Sequence, residues 1–396
     1  MSSARPLRIV SIAHPAVSRD AGRLRYYPLA ARPDVDLHLV VPKVFHQFGR
    51  TLQADPPDDS GLKIHILPIV LGRAGPMTWY LHVYPGLQRL LSEIDPDVVH
   101  LWEEPWSFVA LQARILKRRA ALVMEVDQNI LKRLPPPFEA IRREVLRHTD
   151  HVLSRSPEAT AVVRARGYGG PVTPIAYGVD LATFSPDPAS ARQPLEQRAL
   201  TLGYVGRLVE EKGLDDALDA MARSPAPTSL AIMGEGPYEG RLRQRIAELG
   251  LSDRVTIRGW GTPAEVAAFL RTLDALILLT RTTKKVREQF GRVIVEAQSC
   301  GIPVIGSQSG AIPSVVAEGG WIVAERDPDA LARLLDEISA DPAARLLKAA
   351  KARDNATARF TYDAVAAAIA SACSSAAEHR GKDFARISGR ATRQLV

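Results

Sequence analysis

Two glutamates, Glu288 and Glu296, lie eight positions apart on either side of the predicted start of a helix. That helix should begin near Gly291, which leaves Glu288 in the preceding loop and puts Glu296 almost two turns inside. The helical neighbours of Glu296 are apolar, and a carboxylate among such neighbours needs hydrogen-bond donors. The vicinal hydroxyls of a sugar would supply them. An exposed glutamate on the polar side of an amphipathic helix is the competing interpretation of Glu296.

A pair of cations follows another predicted strand. Leu200–Val205 runs into Gly206 and Arg207, and Lys212 comes shortly before an amphipathic helix. A glycine at the end of a strand lets a ligand approach the backbone, and cations beside a helix N-terminus strengthen its attraction for anions. Arg207 and Lys212 could therefore clamp a diphosphate. The alternative is that both are solvated surface cations.

A glycine-rich turn follows the next predicted strand. Gly234 and Gly236 flank a glutamate there and precede a proline. Glycines in this position suit a turn against a phosphate, but an ordinary turn from strand to helix explains them equally well.

Short apolar segments alternate with amphipathic ones along the chain, as in parallel sheets covered by helices. In the first half, strands are predicted at Leu7–Ala13, Leu37–Pro42, Ile64–Pro68, Val98–Trp102, Ala121–Val126 and His151–Ser154. In the second half, they are predicted at Leu200–Val205, Ser229–Met233, Val255–Arg258, Ala275–Leu279, Pro303–Ser307 and Gly320–Val323. Helices are predicted at Tyr80–Ile94, Phe108–Arg118, Phe138–His148 and Phe360–Ser374, and from Gly213, Glu239, Pro263, Gly291 and Asp329 onwards. We therefore predict two doubly wound α/β domains, with ligands at the carboxyl ends of the strands.

Composition narrows the class of protein. The hydrophobic fraction of 46% over 396 residues is enough for two buried cores. A net charge of +7 favours a partner with phosphates, such as nucleic acid, an anionic lipid or a phosphorylated small molecule. Two distant cysteines form neither a disulfide framework nor a metal site, which favours a reduced, cytoplasmic protein. The chain has no apolar run of membrane-spanning length, and its first residues do not have the pattern of a signal peptide.

Four motifs together resemble glycosyltransferase family 4, whose GT-B fold has two Rossmann-like domains facing across a cleft. The resemblance is carried by Gly203–Arg207 with Glu211–Gly213, by Gly234–Pro237, by Glu288–Ala297, and by Cys300–Ile305 with Ser309–Pro313. The match is strong over residues 200–323 and fainter over the N-terminal half.

The resemblance implies a division of labour between domains. Residues 1–190 would form the acceptor-binding domain and residues 191–356 the domain that binds the sugar nucleotide. Residues 357–376 would form a helix that packs back toward the N-terminal domain, and residues 377–396 a basic, disordered tail.

It also implies roles for the residues of the donor site. Arg207 and Lys212 would hold the diphosphate and stabilise the leaving group, next to Gly206 and Gly234. Glu288 would hydrogen-bond the transferred hexose.

The remaining donor contacts follow from the same motifs. Phe290 and Gly291 would bring backbone amides toward the sugar and phosphate, and Glu296 would bind the ribose diol. The nucleobase would lie against the loop at Arg258 and Gly259.

The reaction that the resemblance implies is a hexose transfer with retention of configuration, without a metal or another cofactor. The donor would be a UDP- or GDP-linked sugar, and the acceptor a hydroxyl of a glycolipid, a polysaccharide or a small glycoside. The acceptor would attack from the front side while the departing phosphate takes its proton. Cations that stabilise this phosphate would then make the largest protein contribution.

The N-terminal half departs from the family pattern. The family usually has a Gly-Gly loop after the first strand, whereas this chain has His14 at that strand's end and a single glycine, Gly22. His14 and Gly22 are candidate acceptor contacts, although a histidine in such a place is often structural. Nearby arginines at positions 19, 23 and 25 could supply charge, with a solvated basic face as the alternative.

Polar residues at the ends of two further strands are also candidates. Glu103 stands where the family commonly has a histidine, and Asp127 stands where relatives often place a histidine beside the transferred sugar. Asp127 would then be catalytic, with Gln128 and Asn129 binding the acceptor. A helix N-cap formed by Asp127 or Asn129 is the alternative.

Two other functions and one partner stay open. A nucleotide-sugar isomerase can share the GT-B fold, and a silent, basic binding module could use nucleic acid, although aromatic interleaving, zinc spacing and a helix-turn-helix are missing. Residues 114–119 with Arg142, Arg143 and Arg147 could touch anionic lipid at the inner face of the membrane. They could equally be ordinary helix surfaces.

Overall fold

The computed structural model describes residues 5–47, 50–72, 78–187 and 199–393. The chain divides into unit 1, which comprises Met1–Tyr177 and Tyr362–Val396, and unit 2, which comprises Gly178–Thr361. The division falls after Tyr177. It differs from the predicted boundary at residue 190, because Val179 already pairs with Thr361 of unit 2.

Unit 1 is built on a seven-stranded parallel sheet with the strand order β5-β2-β1-β6-β7-β8-β9. These strands are β1 (Leu7–Ile12), β2 (Val35–Pro42), β5 (Lys63–Leu67), β6 (Val98–Leu101), β7 (Ala121–Val126), β8 (His151–Ser154) and β9 (Val172–Pro174). An antiparallel hairpin, β3 (Val44–Gln47) and β4 (Arg50–Gln53), follows β2. Every residue of β6, β7 and β8 is buried, which is typical of parallel strands covered by helices on both faces.

Helices connect the strands of unit 1. They are α1 (Arg19–Gly22), α2 (Tyr27–Ala30), α3 (Thr78–Leu81), α4 (Leu87–Ile94), α5 (Phe108–Leu116), α6 (Phe138–Arg147) and α7 (Pro157–Ala165). The sequence predicted one helix at Tyr80–Ile94, but the structure has two, α3 and α4. Pro85 between them disfavours helical backbone at the residue before it and removes one N–H donor.

Unit 2 contains a six-stranded parallel sheet with the order β12-β11-β10-β13-β14-β15. The strands are β10 (Leu200–Val205), β11 (Thr228–Met233), β12 (Val255–Arg258), β13 (Ala275–Leu278), β14 (Val304–Ser307) and β15 (Gly320–Val323). Its helices are α8 (Leu214–Arg223), α9 (Glu239–Glu248), α10 (Pro263–Leu270), α11 (Arg292–Ser299), α12 (Ile312–Val316), α13 (Pro328–Ala340) and α14 (Pro342–Arg359). The first strand of the unit therefore lies between its second and fourth strands, as in doubly wound sheets.

The last helix, α15 (Tyr362–Arg393), returns to unit 1, where it packs on α2, β7 and β8. It continues past the predicted end at Ser374 into the segment for which composition predicted disorder. Small buried residues such as Ala376 line it, and Arg380 Nη1 lies 3.2 Å from Asp150 Oδ1, so contacts with unit 1 extend along the helix as far as Arg380.

The predicted fold class, two doubly wound α/β domains, is confirmed. Among the described residues, no helix has the length and apolar character that crossing a bilayer requires.

Candidate functional site

The order of the strands in unit 2 reverses between β10 and β13, which pair side by side. In doubly wound sheets, ligands bind beyond the carboxyl ends of the strands at such a reversal. The loop after β10 carries Arg207 and Lys212, and the loop after β13 carries Glu288. The topology therefore brings the predicted diphosphate cations and the predicted sugar-binding carboxylate to the same edge of the sheet.

Lys212, Glu288 and Thr280 form a hydrogen-bonded cluster at this edge. Lys212 Nζ lies 2.6 Å from Glu288 Oε2 and 3.4 Å from Thr280 Oγ1, and the Thr280 hydroxyl donates to Glu288 Oε2 at 2.7 Å. The Lys212 and Glu288 side chains are 19% and 13% exposed, so ligands can reach the cluster. An ammonium has three N–H donors, so Lys212 can hold the carboxylate and donate to a phosphate as well.

The loop of Glu288 is fixed by the Ser309–Pro313 motif that follows β14. The Ala311 amide donates to the Glu288 carbonyl at 3.1 Å. Gly310 has a φ of +53°, and a Cβ at this position would lie 2.1 Å from the same carbonyl. Glycine is therefore required at position 310, both for its left-handed backbone and for this close approach. The motif contributes to the site by positioning the backbone of Glu288.

The glycines after β10 and β11 bring two loops into contact. A Cβ on Gly234 would lie 1.8 Å from the carbonyl oxygen of Gly206, and a Cβ on Gly213, with a φ of +67°, would lie 2.2 Å from the carbonyl of Leu279. Contacts between loops thus account for Gly234 and Gly213, whether or not a phosphate binds there.

Arg207 is exposed and has no ion-pair partner among the described residues, in contrast to Lys212. Its backbone carbonyl accepts a hydrogen bond of 2.8 Å from the buried Tyr204 hydroxyl, which fixes the turn. The guanidinium is therefore available for an anion.

The loop after β12 combines a cation and an aromatic side chain. Arg258 stacks on the ring of Phe269 at 4.5 Å, and the following residues, Gly259 and Trp260, approach the carboxylate of Glu235. Trp260 is 41% exposed. A flat, exposed indole next to a carboxylate suits a nucleobase, which stacks on aromatic rings and offers N–H donors.

Gly291 is the N-cap of α11, with a φ of +79°, and Glu288 lies in the loop before it, as the sequence predicts. The ring of Phe290 is buried against Phe360. Glu296 is partly buried on α11, and its carboxylate has no hydrogen bond to another described residue. Burial raises the pKa of the Glu296 carboxyl, and the Arg292 charge lowers it by less. The exposed glutamate considered from the sequence is therefore wrong, and Glu296 is suited to accept hydrogen bonds from a ligand.

In unit 1, Asp127 and Gln128 lie directly beyond β7. The predicted alternative of a helix N-cap is wrong, because α6 begins only at Phe138 and its N-cap is Pro137. Asp127 Oδ1 lies 2.8 Å from Arg155 Nε, while its backbone amide donates to Glu104 at 3.2 Å.

The neighbouring side chains in this loop are partly held in place. Gln128 donates to the Ile130 carbonyl at 2.9 Å, and Asn129 is buried. Burial raises the pKa of both Asp127 and Glu104; the Arg155 charge opposes the shift at Asp127, and the Asp127 charge adds to that at Glu104. Two adjacent carboxyl groups therefore resist ionising together at the ends of β6 and β7.

A buried ionic network lies beneath these residues. Glu125, inside β7, accepts two hydrogen bonds from Arg25, of 3.0 Å and 2.8 Å, and a further one from Arg155. Burial alone would raise the pKa of Glu125, but the charges of Arg155 and Arg25 outweigh it and hold that pKa well below its ordinary value. Both guanidinium groups also contact the ring of Trp102, Arg25 at 4.2 Å and Arg155 at 5.4 Å from its centroid.

Two arginines predicted either to bind anions or to be solvated do neither. Arg25 is fully buried against Glu125, and Arg23 is fully buried with its donors on the carbonyls of Val17, Asp55 and Pro56. Each supports the fold of unit 1. Arg19 is exposed, which both interpretations allow.

His14 is buried directly after β1, and its Nδ1 lies 2.8 Å from both carboxylate oxygens of Glu103. Gly22 packs below Trp102, and a Cβ on it would lie 2.9 Å from the indole ring and 2.7 Å from the Pro15 carbonyl. The structure thus brings His14 to the reversal of strand order between β1 and β6. The packing of Trp102 accounts for Gly22.

Some residues of these sites were not identified from the sequence. Thr280 is a hydroxyl residue in an ordinary loop, and Ser309 was named only as part of a family motif, without a role of its own. Thr280 contacts Lys212, and Ser309 contacts Thr282, so each hydroxyl joins separate segments of the chain. His82 lies between α3 and α4, inside the predicted continuous helix. Trp260 had one available signal, since a tryptophan directly after the predicted Arg258-Gly259 loop is unusual for a solvated turn.

Two family models match the chain. The model for Glycosyltransferase Family 4 matches residues 29–183, and the model for Glycosyl transferases group 1 matches residues 188–359.

Curated relatives share part of this sequence. The chain is 29% identical over 316 residues to a GDP-mannose-dependent alpha-(1-6)-phosphatidylinositol monomannoside mannosyltransferase of Mycobacterium tuberculosis, covering 76% of this chain and 80% of that protein. It is 36% identical over 213 residues to a D-inositol 3-phosphate glycosyltransferase of Frankia alni, covering 49% of this chain and 51% of that protein.

Solved structures share the fold. Sucrose-phosphate synthase from Thermosynechococcus elongatus superimposes with a TM-score of 0.67 at 21% identity, over 97% of this chain and all of that one. Anabaena HepE in complex with UDP superimposes with a TM-score of 0.70 at 19% identity, over 93% of this chain and all of that one. At this level of identity, the likeness concerns the fold alone.

Proposed function

Because the chain belongs to the group 1 glycosyltransferases of family 4 and has the GT-B fold, we propose that it moves a hexose from a nucleoside-diphosphate sugar to a hydroxyl acceptor, with retention of configuration. The observation that carries this proposal is the cluster of Lys212, Thr280 and Glu288 at the reversal of strand order in unit 2.

Lys212 and Arg207 bind the diphosphate and stabilise it as it departs. The leaving phosphate gains negative charge when the glycosidic bond breaks, so positioned cations bind the transition state more tightly than the ground state. Glu288 positions Lys212 from one side, and the exposed Arg207 adds the second cation. The diphosphate needs no metal when two side-chain cations supply this charge.

Glu288, Glu296 and Trp260 contact successive parts of the donor. Glu288 accepts hydrogen bonds from the hexose, Glu296 from the ribose, and Trp260 stacks on the base beside Arg258. The amides at Phe290 and Gly291 donate to the sugar and phosphate. GDP-mannose is the first donor to test, because the relative that aligns over 80% of its length is named as dependent on it. UDP-sugars are the second.

Retention follows from front-side attack. A double displacement would need an available carboxylate nucleophile. Glu288 is engaged by an ammonium at 2.6 Å and a hydroxyl at 2.7 Å, and Asp127 is engaged by the Arg155 guanidinium at 2.8 Å, which lowers the nucleophilicity of both carboxylates. The departing phosphate instead takes the acceptor proton. Lys212 and Arg207, which hold this phosphate, therefore assist both the departure of the nucleoside diphosphate and the activation of the acceptor.

The acceptor binds at unit 1, beyond the ends of β6 and β7. Asp127 has the catalytic role there: it accepts a hydrogen bond from the attacking hydroxyl or the transferred sugar, while Arg155 orients it. Gln128 and Asn129 supply further polar contacts.

A membrane-borne acceptor is supported by an apolar groove of about 390 Å³ between α4 and α5. Its lining includes Phe108, Leu111 and Ile115, and Ile115 is 65% exposed. Only some of the basic residues predicted to touch lipid are exposed. Lys117 and Arg142 are buried, whereas Arg118 and Arg143 are exposed nearby.

The proposal is tested by incubating the full chain with GDP-, UDP- and ADP-sugars and measuring nucleoside diphosphate release with and without candidate acceptors. Release of one diphosphate per glycoside formed, with the donor's anomeric configuration in the product by NMR, supports it. Transfer with inversion would refute the mechanism. Isomerised donor without release would support the isomerase, and neither binding nor release with any donor would contradict the function.

A further inference from the structure

Three side chains of the kinds that ligate metal ions meet inside unit 1: His14, His82 and Glu103. One ligand atom from each lies within 4.8 Å of the others. His14 Nδ1 is 2.8 Å from both oxygens of Glu103, and His82 Nε2 is 3.8 Å from Glu103 Oε1. The three residues are 8%, 0% and 3% exposed, respectively.

The charge of Glu103 is compensated in an unusual way. A buried carboxylate needs a positive partner and hydrogen bonds. Glu125 in the same sheet has two arginines for this purpose. Glu103 has no lysine or arginine within ion-pair distance among the described residues, and its ionic contacts are the imidazoles of His14 and His82. A divalent cation bound by all three side chains would place a full positive charge directly against the Glu103 carboxylate.

The cluster also lies where a doubly wound sheet places its ligands. His14 follows β1 and Glu103 follows β6, and these two strands pair at the reversal of strand order in unit 1. Phe45 stacks on His14 at 4.6 Å and meets His82 edge-on at 5.4 Å, so an apolar ring shields one side. Low water access strengthens binding of a cation by a buried carboxylate.

We propose that His14, His82 and Glu103 bind one divalent transition-metal ion of the zinc type in unit 1. Two imidazoles and a carboxylate are a donor set of zinc sites with three protein ligands, which keep a fourth position for a water or substrate oxygen. Ligand atoms around tetrahedral zinc lie about 3.3 Å apart, given bond lengths of about 2.0–2.2 Å. The ion therefore replaces the His14–Glu103 hydrogen bond after these groups separate by about 0.5 Å.

The consequence is a cation on the acceptor side of the protein, separate from Lys212 and Arg207. The fourth ligand position of the ion would take an oxygen of the acceptor. The ion would thus contact the acceptor at the place where this family usually has a glycine loop. Metal content is measured without a transferase assay. A failure of this proposal would therefore appear in the metal titration, and a failure of the proposed function would appear in the transfer assay.

The test uses the full chain, treated with a chelator, dialysed, and titrated with Zn²⁺ in competition with a chromogenic chelator. We expect one Zn²⁺ per chain. Loss of an outer-shell partner alone weakens metal binding 10–100-fold, so Glu103→Gln and His82→Ala should each weaken it at least tenfold. Zn²⁺ should also raise the melting temperature of the wild type and leave that of Glu103→Gln nearly unchanged.

His65→Ala is the matched control, because it removes a partly buried imidazole from β5 that stacks on His38 at 5.2 Å. This variant should retain wild-type affinity. Circular dichroism shows whether each variant is folded. If His82→Ala is unfolded, the result with Glu103→Gln, which keeps the side-chain shape, is decisive. A wild type without stoichiometric Zn²⁺, wild-type affinity in Glu103→Gln, or a loss of affinity in His65→Ala equal to that in Glu103→Gln would each overturn the proposal.

Discussion

Replacing Lys212 with methionine removes the ammonium from the donor cluster and keeps most of the side-chain volume. Lys212 Nζ lies 2.6 Å from Glu288 Oε2, and both side chains are less than one-fifth exposed. Two unit charges about 4 Å apart interact by about 4 kcal/mol at an effective dielectric constant of about 20. Removal of one positioned donor to a developing anion commonly costs about 10²–10³ in kcat. We therefore expect kcat to fall about 10²–10³-fold, with a smaller change in the KM of the donor.

The same substitution should cost moderate stability. Glu288 keeps the hydrogen bond from Thr280 but loses the Lys212 ammonium, and the loss of a partner by a largely buried carboxylate costs about 1–3 kcal/mol. Initial rates with saturating donor and acceptor, and thermal unfolding of the same sample, separate the two effects. Lys351→Met is the control, because Lys351 pairs with Glu318 in unit 2 at a site where both side chains are well exposed. Such a pair contributes about 0–1 kcal/mol, and its loss should leave kcat unchanged.

A Lys212→Met variant with nearly wild-type kcat and lowered stability would refute the catalytic role, since Lys212 would then be a structural partner of Glu288 alone. A variant with unchanged kcat and strongly raised donor KM would show that Lys212 binds ground state and transition state equally.

The other predictions concern the loop geometry, a buried lysine and the apolar groove. Gly310→Ala should abolish transfer, because its Cβ would lie 2.1 Å from a backbone carbonyl. Gly240→Ala, at an open position in helix α9, should be active and slightly more stable than the wild type. Initial rates and thermal unfolding compare the two variants. Burial lowers the pKa of Lys117 to about 8, so the folded chain binds fewer protons than the unfolded chain above that value. The contribution of Lys117 to the free energy of unfolding should therefore rise between pH 8 and pH 10.5, by an amount on the order of 2 kcal/mol. Denaturant titrations of the wild type and of Lys117→Met at each pH should show this contribution as a difference between the two proteins that shifts in favour of the wild type as pH increases. Ile115→Glu should reduce sedimentation with anionic vesicles at low salt, and Leu346→Glu, at an equally exposed position, should not; no sedimentation of the wild type would contradict the lipid contact.

The strands could be predicted closely because each is a local apolar run. Twelve predicted strands agree with the structure to within two residues at their ends, from β1 to β15. The hairpin of β3 and β4 was not predicted, since Val44–Gln47 and Arg50–Gln53 are only four residues long and mix apolar with polar side chains. Its position depends on the pairing of its two strands and on contacts of β3 with α3, and a local hydrophobic pattern does not contain this information.

The donor half of the site was accessible for a related reason. Glu288, Gly291 and Glu296 lie within nine residues around one helix start, so their relative positions follow from helix geometry. The roles of Thr280 and Ser309 were not predicted, because their hydroxyls form tertiary hydrogen bonds between the ends of different strands, from Thr280 to Lys212 and from Ser309 to Thr282. Nothing local distinguishes such a threonine or serine from a solvated one.

The acceptor half differs because its charges are inside the sheet. A glutamate in a fully buried strand, such as Glu125, requires cations from elsewhere, and they come from Arg25 and Arg155, 100 and 30 residues away. Gly22, the single glycine in the region where the family usually has a glycine loop, is required by the packing of Trp102. Substitutions intended to change the acceptor should therefore begin with the polar side chains directly beyond β1, β6 and β7. These side chains can contact a hydroxyl or an ion, whereas a larger residue at position 22 would first displace an indole that packs against two buried guanidinium groups.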